Sequence, residues 1–356
     1  MESVDASEPS ASRTPSPPVE DRLDLVLEGG GVKGIALVGA LEVLEERGYR
    51  FNRVIGSSAG AIAGAMVAAG IPSATMAEIM KSVEYGRFQD GRRWNRFLPV
   101  QAIDVLVKKG IYPGRFLEEW LDEQLRTHGP RYEQGTFSDL RYEDPGNVRA
   151  IPENEKFRLV VTASDLSNGR LKFLPRDFED YHRTPGEQKI VDAVRISMSI
   201  PFFFRPVKWT ETNGRGTWLV DGGMLSNFPI TEFDAPAGQT PRWPTFGIKL
   251  SSRPDAALSV ANKITGTLSF GIAILRTMMG FYDGMHIESA DAIARTIFID
   301  TGKVRTTQFD LTEADRDMLY RNGRNAAITF LDGSEGTPGW NFDRYISTFR
   351  PRAAPA

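Results

Sequence analysis

The sequence predicts an α/β layered fold with a mainly parallel central sheet. Strand-like and helix-like segments alternate from Leu23 onward, which is the pattern of the βα units that build parallel sheets. Two glycine-rich turns, GGGVKG at 29–34 and GSSAG at 56–60, each lie between a strand-like run and an apolar helical pattern. The chain has 356 residues, 41% of them hydrophobic, so it can bury a sizeable core.

The alternation can be divided into elements by composition and spacing. Runs of β-branched and other apolar residues predict strands at Leu23–Leu27, Arg53–Ile55, Phe157–Ala163, Thr217–Val220, Thr245–Leu250 and Thr296–Ile299. Apolar residues at helical spacing predict helices at Gly34–Arg47, Ala59–Ala69, Pro113–Arg126, Gln188–Met198 and Ile264–Met285. The segment Tyr85–Tyr112 breaks the alternation with mixed basic and aromatic residues, so it is either a cap over a site or a surface insertion.

The two ends of the chain differ from its middle in composition. The first twenty residues are rich in Pro, Ser and acidic residues and have no apolar stretch, so we expect a disordered tail and not a signal peptide. We expect a catalytic domain at 21–300, a helical extension packed on it at 301–350, and a short tail at 351–356. With no run of 18 apolar residues, no transmembrane segment is predicted, and we expect a cytoplasmic protein.

Composition excludes several classes of function. A net charge of −3 and a pI near 5.8 give no support to a nucleic-acid-binding protein. Cysteine is absent, so thiol catalysis, disulfides and cysteine-based zinc sites are excluded. The three histidines are far apart in sequence and no ligand cluster accompanies them, so we expect neither a metal nor a cofactor.

The first glycine loop has two possible anionic ligands. Gly29, Gly31 and Gly34 match G-x-G-x-x-G, the dinucleotide-binding fingerprint, which also requires an acidic residue at the end of the next strand. No acidic residue lies between Glu46 and Glu78, so the sequence argues against a dinucleotide-dependent oxidoreductase. The same loop can instead hold the oxyanion of an acyl-transfer reaction.

The second loop supports the acyl-transfer hypothesis. GSSAG is a G-x-S-x-G motif between a strand and a helix, the setting that a nucleophile elbow requires. Gly56 and Gly60 would relieve crowding in the sharp turn, and Ser58 would project its hydroxyl at the start of a helix whose dipole favours negative charge. Ser58 is therefore the candidate nucleophile.

A serine nucleophile needs a base. His128 and His182 lie in polar, turn-rich stretches, where a surface position is expected. His286 would complete the order Ser58, Asp221, His286 found in α/β-hydrolases, but it ends a helical pattern instead of following a strand. The alternative of a Ser-His-Asp esterase using His286 stays open at this point.

A carboxylate at a strand end is the favoured base. Asp221 follows the strand Thr217–Val220 and precedes Gly222 and Gly223, which would allow another backbone to approach closely. The competing interpretation is an ordinary Asp-Gly turn. Asp165 also ends a strand, but the Ser-Asn-Gly near it predicts a hairpin turn.

Together, GGGVKG, GSSAG and DGG at 221–223 resemble the patatin-like phospholipase family over most of residues 21–300. The segment RISMSIPFFF at 195–204 is similar to the family's Ser-x-Ser-Ile-Pro segment. The resemblance implies a three-layer α/β/α sandwich and a Ser–Asp dyad without histidine, which maps onto Ser58 and Asp221. It also implies metal-free cleavage of glycerolipid acyl esters through an acyl-enzyme, as in phospholipase A or lysophospholipase.

The same resemblance assigns an oxyanion hole to Gly29, Gly30, Gly31 and Gly34, with Lys33 in the basic position of the motif. Lys33 would support the loop or attract phosphate, unless it is a surface lysine at a helix start. The run Phe202–Phe204 would line an acyl groove or belong to the core. The expected partner is a glycerophospholipid or another acyl-ester lipid, with peripheral membrane contact. A catalytically silent lipid-binding module is the remaining alternative, against which the intact Ser58 and Asp221 argue.

Overall fold

The structure, a computed structural model, describes residues 21–90, 108–146, 151–236, 239–251 and 289–350, together with Phe270, Ala273, Ile274 and Thr277. The described strands are β1 (Arg22–Leu27), β2 (Arg50–Gly56), β3 (Gly110–Tyr112), β4 (Leu159–Asp165), β5 (Arg170–Leu174), β6 (Phe202–Phe204), β7 (Val207–Thr210), β8 (Gly216–Asp221), β9 (Thr245–Lys249), β10 (Thr296–Phe298), β11 (Gly333–Ser334) and β12 (Thr337–Pro338). The described helices are α1 (Gly34–Glu46), α2 (Ala59–Ala69), α3 (Ser73–Ser82), α4 (Arg115–His128), α5 (Ile190–Ser197), α6 (Ala290–Ala294), α7 (Glu313–Asp332) and α8 (Phe342–Phe349).

The central sheet has the hydrogen-bonded order β10-β9-β1-β2-β4-β8-β7, with β5 also paired to β4. Strands β10, β9, β1, β2 and β4 are parallel, whereas β5 and β8 are antiparallel to β4, and β7 is antiparallel to β8. The prediction of an α/β fold with a mainly parallel sheet is therefore confirmed.

The sheet is covered on both faces, which gives the layered architecture. One face packs into a large apolar cluster with side chains from α1, α2, α3 and α7. On the other face, Val26 and Ile55 pack with Phe228, Ile230 and Ala292, the last of which lies in α6. Alternate residues of β1 and β2 are therefore buried on opposite sides, which explains their nearly continuous apolar sequence.

The long helix α7 lies along α1 because two glycines allow the backbones to approach closely. A Cβ atom at Gly39 would overlap the carbonyl oxygen of Tyr320, and one at Gly323 would overlap that of Ala36. Helix α7 begins at a capping box formed by Thr312 and Asp315. Because α7 packs through small residues and backbone contacts, the helical periodicity of apolar residues in its sequence is weak.

Each predicted strand and four of the predicted helices correspond to observed elements, with Ala59–Ala69 matching to the residue. The predicted helix Ile264–Met285 and most of the proposed cap lie outside the described residues, apart from the single residues noted above. The predicted ranges did not include the helices α3, α6, α7 and α8 or the strands β3, β5, β6, β7, β11 and β12. Among the described helices, none combines the length and apolar character needed to cross a lipid bilayer.

The arrangement of strands on β4 determines where the candidate site forms. Strand β5 pairs along Val161–Asp165 and occupies one edge of β4. Strand β2 pairs up to Gly56, opposite Val161, and β8 pairs from Asp221, opposite Ala163. Strands β2 and β8 both pair with β4 residues that also pair with β5, so both lie on the edge of β4 opposite β5. Since β2 is parallel to β4 and β8 is antiparallel to it, β2 and β8 run towards each other. Their carboxyl ends are therefore two β4 residues apart, about 7 Å of strand.

Candidate active site

Ser58 occupies a strained turn between β2 and α2. Its backbone has φ 51° and ψ −122°, a positive φ that is uncommon for a residue with a side chain. A Cβ atom at Gly56 would overlap the carbonyl of Gly60, and one at Gly60 would overlap the carbonyl of Leu27. This crowding is the physical reason for glycine on both sides of the serine.

The first glycine loop lies directly against Ser58. A Cβ atom at Gly29 would approach the Ser58 Cβ to 2.8 Å, so only glycine fits there. Gly31 has a φ of 57°, which glycine adopts without strain. The backbone N–H groups of Gly29, Gly30 and Gly31 donate to no acceptor among the described residues. These donors are available to an anion beside the serine.

One further donor lies at the start of α2. The N–H of Ala59 belongs to the first turn of the helix and has no acceptor among the described residues. The residue after the nucleophile supplies an oxyanion donor in a strand–turn–helix elbow. Ala59 was not among the candidate residues predicted from the sequence, although its position directly after Ser58 is a signal for this role. Gly34, by contrast, donates its N–H to Gly31 within the loop and lies near the Cβ of Ala59.

The glycine loop is held on one side by a buried ion pair. Glu28 accepts hydrogen bonds from the Lys249 ammonium and from the Leu250 N–H, both at the end of β9. Asn227 donates its side-chain amide to the carbonyl of Gly29 at 2.9 Å. A Cβ atom at Gly30 would overlap the Leu250 side chain. These contacts fix the backbone from which the free N–H groups project.

The other side of the loop is held by the chain that follows β10. The N–H of Val32 donates to the Thr306 carbonyl at 3.1 Å, and Lys33 Nζ donates to Thr301 Oγ1, also at 3.1 Å. Burial lowers the pKa of Lys33, against the raising effect of Glu28 and Asp300. Lys33 is thus a partly buried tether between the loop and residues far along the chain, not a surface lysine at a helix start.

Asp221 is buried at the end of β8 and incompletely hydrogen-bonded. Its Oδ1 accepts from the Gly223 N–H at 2.8 Å, whereas Oδ2 is buried and has no hydrogen-bond partner among the described residues. Burial raises the pKa of Asp221 to about 7, against the lowering effects of the Gly223 N–H and the Ser58 hydroxyl. A Cβ atom at Gly222 would overlap the Thr162 hydroxyl, so the backbone approaches β4 closely here.

The Ser58 hydroxyl lies close enough to the Asp221 carboxyl group to oppose the rise in its pKa, although the effect of burial is larger. The hydroxyl is otherwise directed at Met198 Sδ, 3.5 Å away, and a thioether is a weak acceptor. Hydrogen bonds between catalytic groups are often loose in ligand-free structures and tighten in the complex with substrate. In this ligand-free structure the two groups are neighbours that no hydrogen bond joins.

The segment Ser197–Ser199, which begins at the last residue of α5, connects the two groups. The Ser58 N–H donates to Ser197 Oγ at 2.9 Å, and the Asp221 N–H donates to the Ser199 carbonyl at 3.1 Å. The buried Arg195 donates to Ser199 Oγ at 2.6 Å. In the sequence this segment was noticed only as part of the family resemblance, and neither contact was foreseen.

An apolar pocket adjoins the serine. Its lining includes Ala59 and Met198 near Ser58, Phe204 in β6, and Leu117 and Trp120 on α4. Its cavity volume is about 20 Å³, close to the space that one water molecule requires. Of the Phe202–Phe204 run, Phe204 is buried and lines this pocket, while Phe203 stacks on Phe309 at 5.0 Å between ring centroids.

The other candidate residues lie apart from this constellation. His128 and His182 are exposed, as the sequence predicted. Asp165 accepts from the N–H groups of Ser167 and Asn168, which is the predicted hairpin turn. His286 lies outside the described residues. Within the part of the chain that the structure describes, no group of three or more acidic or histidine side chains can hold a metal ion.

Several known proteins are similar in sequence to this chain. The chain is 36% identical over 316 residues to the uncharacterized protein YqhO of Bacillus subtilis, spanning 87% of this chain and 98% of that one. It is 45% identical to an uncharacterized NTE family protein of Mycobacterium tuberculosis, spanning 59% of this chain and 44% of the relative.

A probable lipid hydrolase, 463L, of Invertebrate iridescent virus 6 is 25% identical over 58% of this chain and 61% of the viral protein. Among solved structures, VipD from Legionella pneumophila has a TM-score of 0.48 and 17% identity over 87% of this chain and 66% of that one. The family model for patatin-like phospholipase matches residues 25–234, from the first strand past Asp221. The chain therefore belongs to the patatin-like phospholipase family.

Proposed function

We propose that the protein is a lipid acyl hydrolase in which Ser58 is the nucleophile and Asp221 is its direct base. The observation that carries the proposal is the meeting of β2 and β8 on one edge of β4, which brings a strained serine next to a buried carboxylate. Family membership supports hydrolysis of a lipid ester. The dyad itself is inferred from the geometry.

The first step forms an acyl-enzyme. The Asp221 carboxylate accepts the proton of Ser58 Oγ as that oxygen attacks the ester carbonyl carbon. The carbonyl oxygen gains the negative charge and accepts hydrogen bonds from the N–H groups of the glycine loop and Ala59. One such donor is worth about 3–4 kcal/mol in the transition state. The tetrahedral intermediate then expels the alcohol, which takes the proton from Asp221.

The second step repeats the chemistry with water. Asp221 accepts a proton from the water as its oxygen attacks the acyl carbon, and the same N–H groups hold the second oxyanion. Collapse releases the fatty acid, and Ser58 Oγ recovers its proton from Asp221. No histidine and no metal takes part in either step of this mechanism, because Asp221 accepts the proton of Ser58 Oγ directly.

The raised pKa of Asp221 makes it a competent base. A carboxylate at its ordinary pKa of 3.8 is too weak a base to remove a serine proton efficiently. A value of about 7 leaves the group substantially ionised at neutral pH while strengthening its attraction for a proton. The burial that raises this pKa therefore serves catalysis.

The apolar pocket beside Ser58 supports an acyl chain as the substrate group. Its aromatic and aliphatic lining matches a hydrocarbon chain, and it begins at Ala59 and Met198, next to the nucleophile. Because the ligand-free cavity is narrow, side chains must move to admit the chain. Met198 is suited to this movement, since an unbranched thioether side chain changes conformation readily. The viral relative named a probable lipid hydrolase agrees with this class of substrate.

A fluorophosphonate probe tests the proposal directly. We expect one covalent label per molecule on Ser58, with labelling and ester hydrolysis both abolished in Ser58→Ala. The matched control is Ser57→Ala, since Ser57 is the adjacent serine of the same motif and bonds instead to Thr162 and to the Ser226 carbonyl. This variant should keep its label. Undiminished labelling of Ser58→Ala would contradict the proposal. If the native protein bound lipid but took no label, the alternative of a catalytically silent lipid-binding module would be favoured.

A further inference from the structure

The end of the sheet extends beyond the candidate site. Strand β4 continues past the end of β2, from Val161 to Asp165, and β8 pairs with this extension. Trp218 lies three residues before Asp221 on β8, so it stands about 10 Å farther out along the strand direction. The hairpin β7–β8 and the turn after β4 therefore form a rim at the same end of the sheet as Ser58.

Trp218 lies between two lysines on this rim. Its ring centroid is 4.4 Å from Lys109 Nζ and 5.4 Å from Lys208 Nζ. Lys208 is directly opposite Trp218 across the β7–β8 pair. Both lysines are exposed, and neither is paired with a carboxylate among the described residues. Cation–π attraction holds the ammonium groups over the ring, and no carboxylate of the described residues neutralises their charge.

An exposed leucine completes the rim. Leu166 is 46% exposed, one of few large apolar side chains at the surface of the described residues. Its N–H donates to the Trp218 carbonyl at 2.9 Å, so the two residues are adjacent. The neighbouring Glu211 is buried and engaged by Asn168 and Asn213. The surface thus combines apolar and cationic groups on a chain whose net charge is −3.

We propose that Lys109, Leu166, Lys208 and Trp218, the docking rim, bind an anionic lipid surface. Tryptophan prefers the boundary between headgroups and acyl chains, and lysines near the surface are attracted to anionic headgroups. A leucine at the same level adds apolar contact with the acyl region. The proposal builds on the proposed function, because a hydrolase of membrane lipids must bring its nucleophile to the bilayer.

The test measures vesicle binding with the full chain. Ser58→Ala protein should sediment with phosphatidylglycerol-containing vesicles and much less with pure phosphatidylcholine vesicles. In that background, Lys109→Glu with Lys208→Glu should weaken the partition to anionic vesicles by at least about tenfold. The matched control is Lys81→Glu on α3, where Lys81 Nζ also lies over a ring, 4.2 Å from the Tyr320 centroid, but next to Asp317. That variant should bind like its parent.

Three results would overturn the docking rim: equal binding of the parent to both vesicle types, undiminished binding of the double variant, or tighter binding to heparin than to vesicles. Failure of the proposed function is distinguished by a second assay with a water-soluble short-chain ester. The native protein and Lys109→Glu/Lys208→Glu should hydrolyse it equally. Vesicle binding without ester hydrolysis would support the docking rim and contradict the proposed enzyme activity.

Discussion

Ser58 and Asp221 are held by the same short segment, because the Ser58 N–H donates to Ser197 Oγ and the Asp221 N–H donates to the Ser199 carbonyl. Two residues that are 163 apart in sequence thus share one support. The head-to-head ends of β2 and β8 on β4 provide a second, independent constraint on their separation.

The pH dependence of catalysis should report the protonation of Asp221. Because the base must be ionised and its pKa is raised to about 7 by burial, kcat/KM should rise with pH and level off above about 7. A soluble ester should be used, so that binding to a lipid surface does not enter the profile. A profile that is already level near pH 5 would show that a group with an ordinary carboxyl pKa, or none at all, acts as the base.

The stability of Asp221→Asn should exceed that of the native protein at alkaline pH. Between the unfolded pKa near 3.8 and the folded pKa of about 7, the folded state binds more protons, so native stability falls as pH rises through this window. The variant has no carboxyl group at this position and so does not lose stability in this way. In the native protein the loss in the free energy of unfolding amounts to a few kcal/mol, on the order of 1.4 kcal/mol for each pKa unit. Thermal melts at about pH 4 and pH 8 should show a Tm advantage that is small at the lower pH and large at the higher. An equal difference at both would contradict the raised pKa.

Removing the tether of Lys33 should slow catalysis without weakening substrate binding. Thr301→Val keeps the side-chain shape and removes the acceptor of Lys33 Nζ, so the glycine loop loses one of its constraints. We expect kcat to fall by about tenfold with KM unchanged, less than the loss of a whole oxyanion donor, and Thr301→Ser to restore it. The control is Thr296→Val, whose hydroxyl bonds to the Ala292 carbonyl away from the loop. An unchanged kcat in folded Thr301→Val would show that the tether does not position the loop.

Chelation should leave hydrolysis intact. The proposed steps use only Ser58, Asp221 and backbone N–H groups, and the described residues include no cluster suited to a metal. Activity on a soluble ester should be the same before and after EDTA treatment. A strict requirement for added calcium would mean that the metal-free mechanism is wrong.

The local parts of the site could be predicted from sequence. GSSAG and GGGVKG specify their turns through the glycines themselves, since each added Cβ would meet neighbouring backbone or side-chain atoms. Within GSSAG the constraint is local, since a Cβ atom at Gly56 would overlap the Gly60 carbonyl, and the helix α2 that follows was predicted to the residue. The turn at Asp165 was predictable for the same reason, since its partners are two and three residues away.

The non-local parts could not be predicted. Neither periodicity nor turn signals show that β8 pairs antiparallel with the extension of β4 and meets β2 end to end. The raised pKa of Asp221 depends on that burial, so the aspartate in sequence gives no indication of it. Likewise, Thr301 lies 268 residues beyond Lys33, and no local pattern connects them.

The most direct test of Asp221 as the base compares Asp221→Asn with His286→Ala in one hydrolysis assay, each variant checked for folding by thermal melt. His286 lies outside the described residues, and the Ser–Asp mechanism gives it no part. We expect Asp221→Asn to lose roughly three orders of magnitude or more in kcat/KM, because base and nucleophile act as a unit, and His286→Ala to stay within about tenfold of the native enzyme. A folded His286→Ala protein without activity would contradict the dyad.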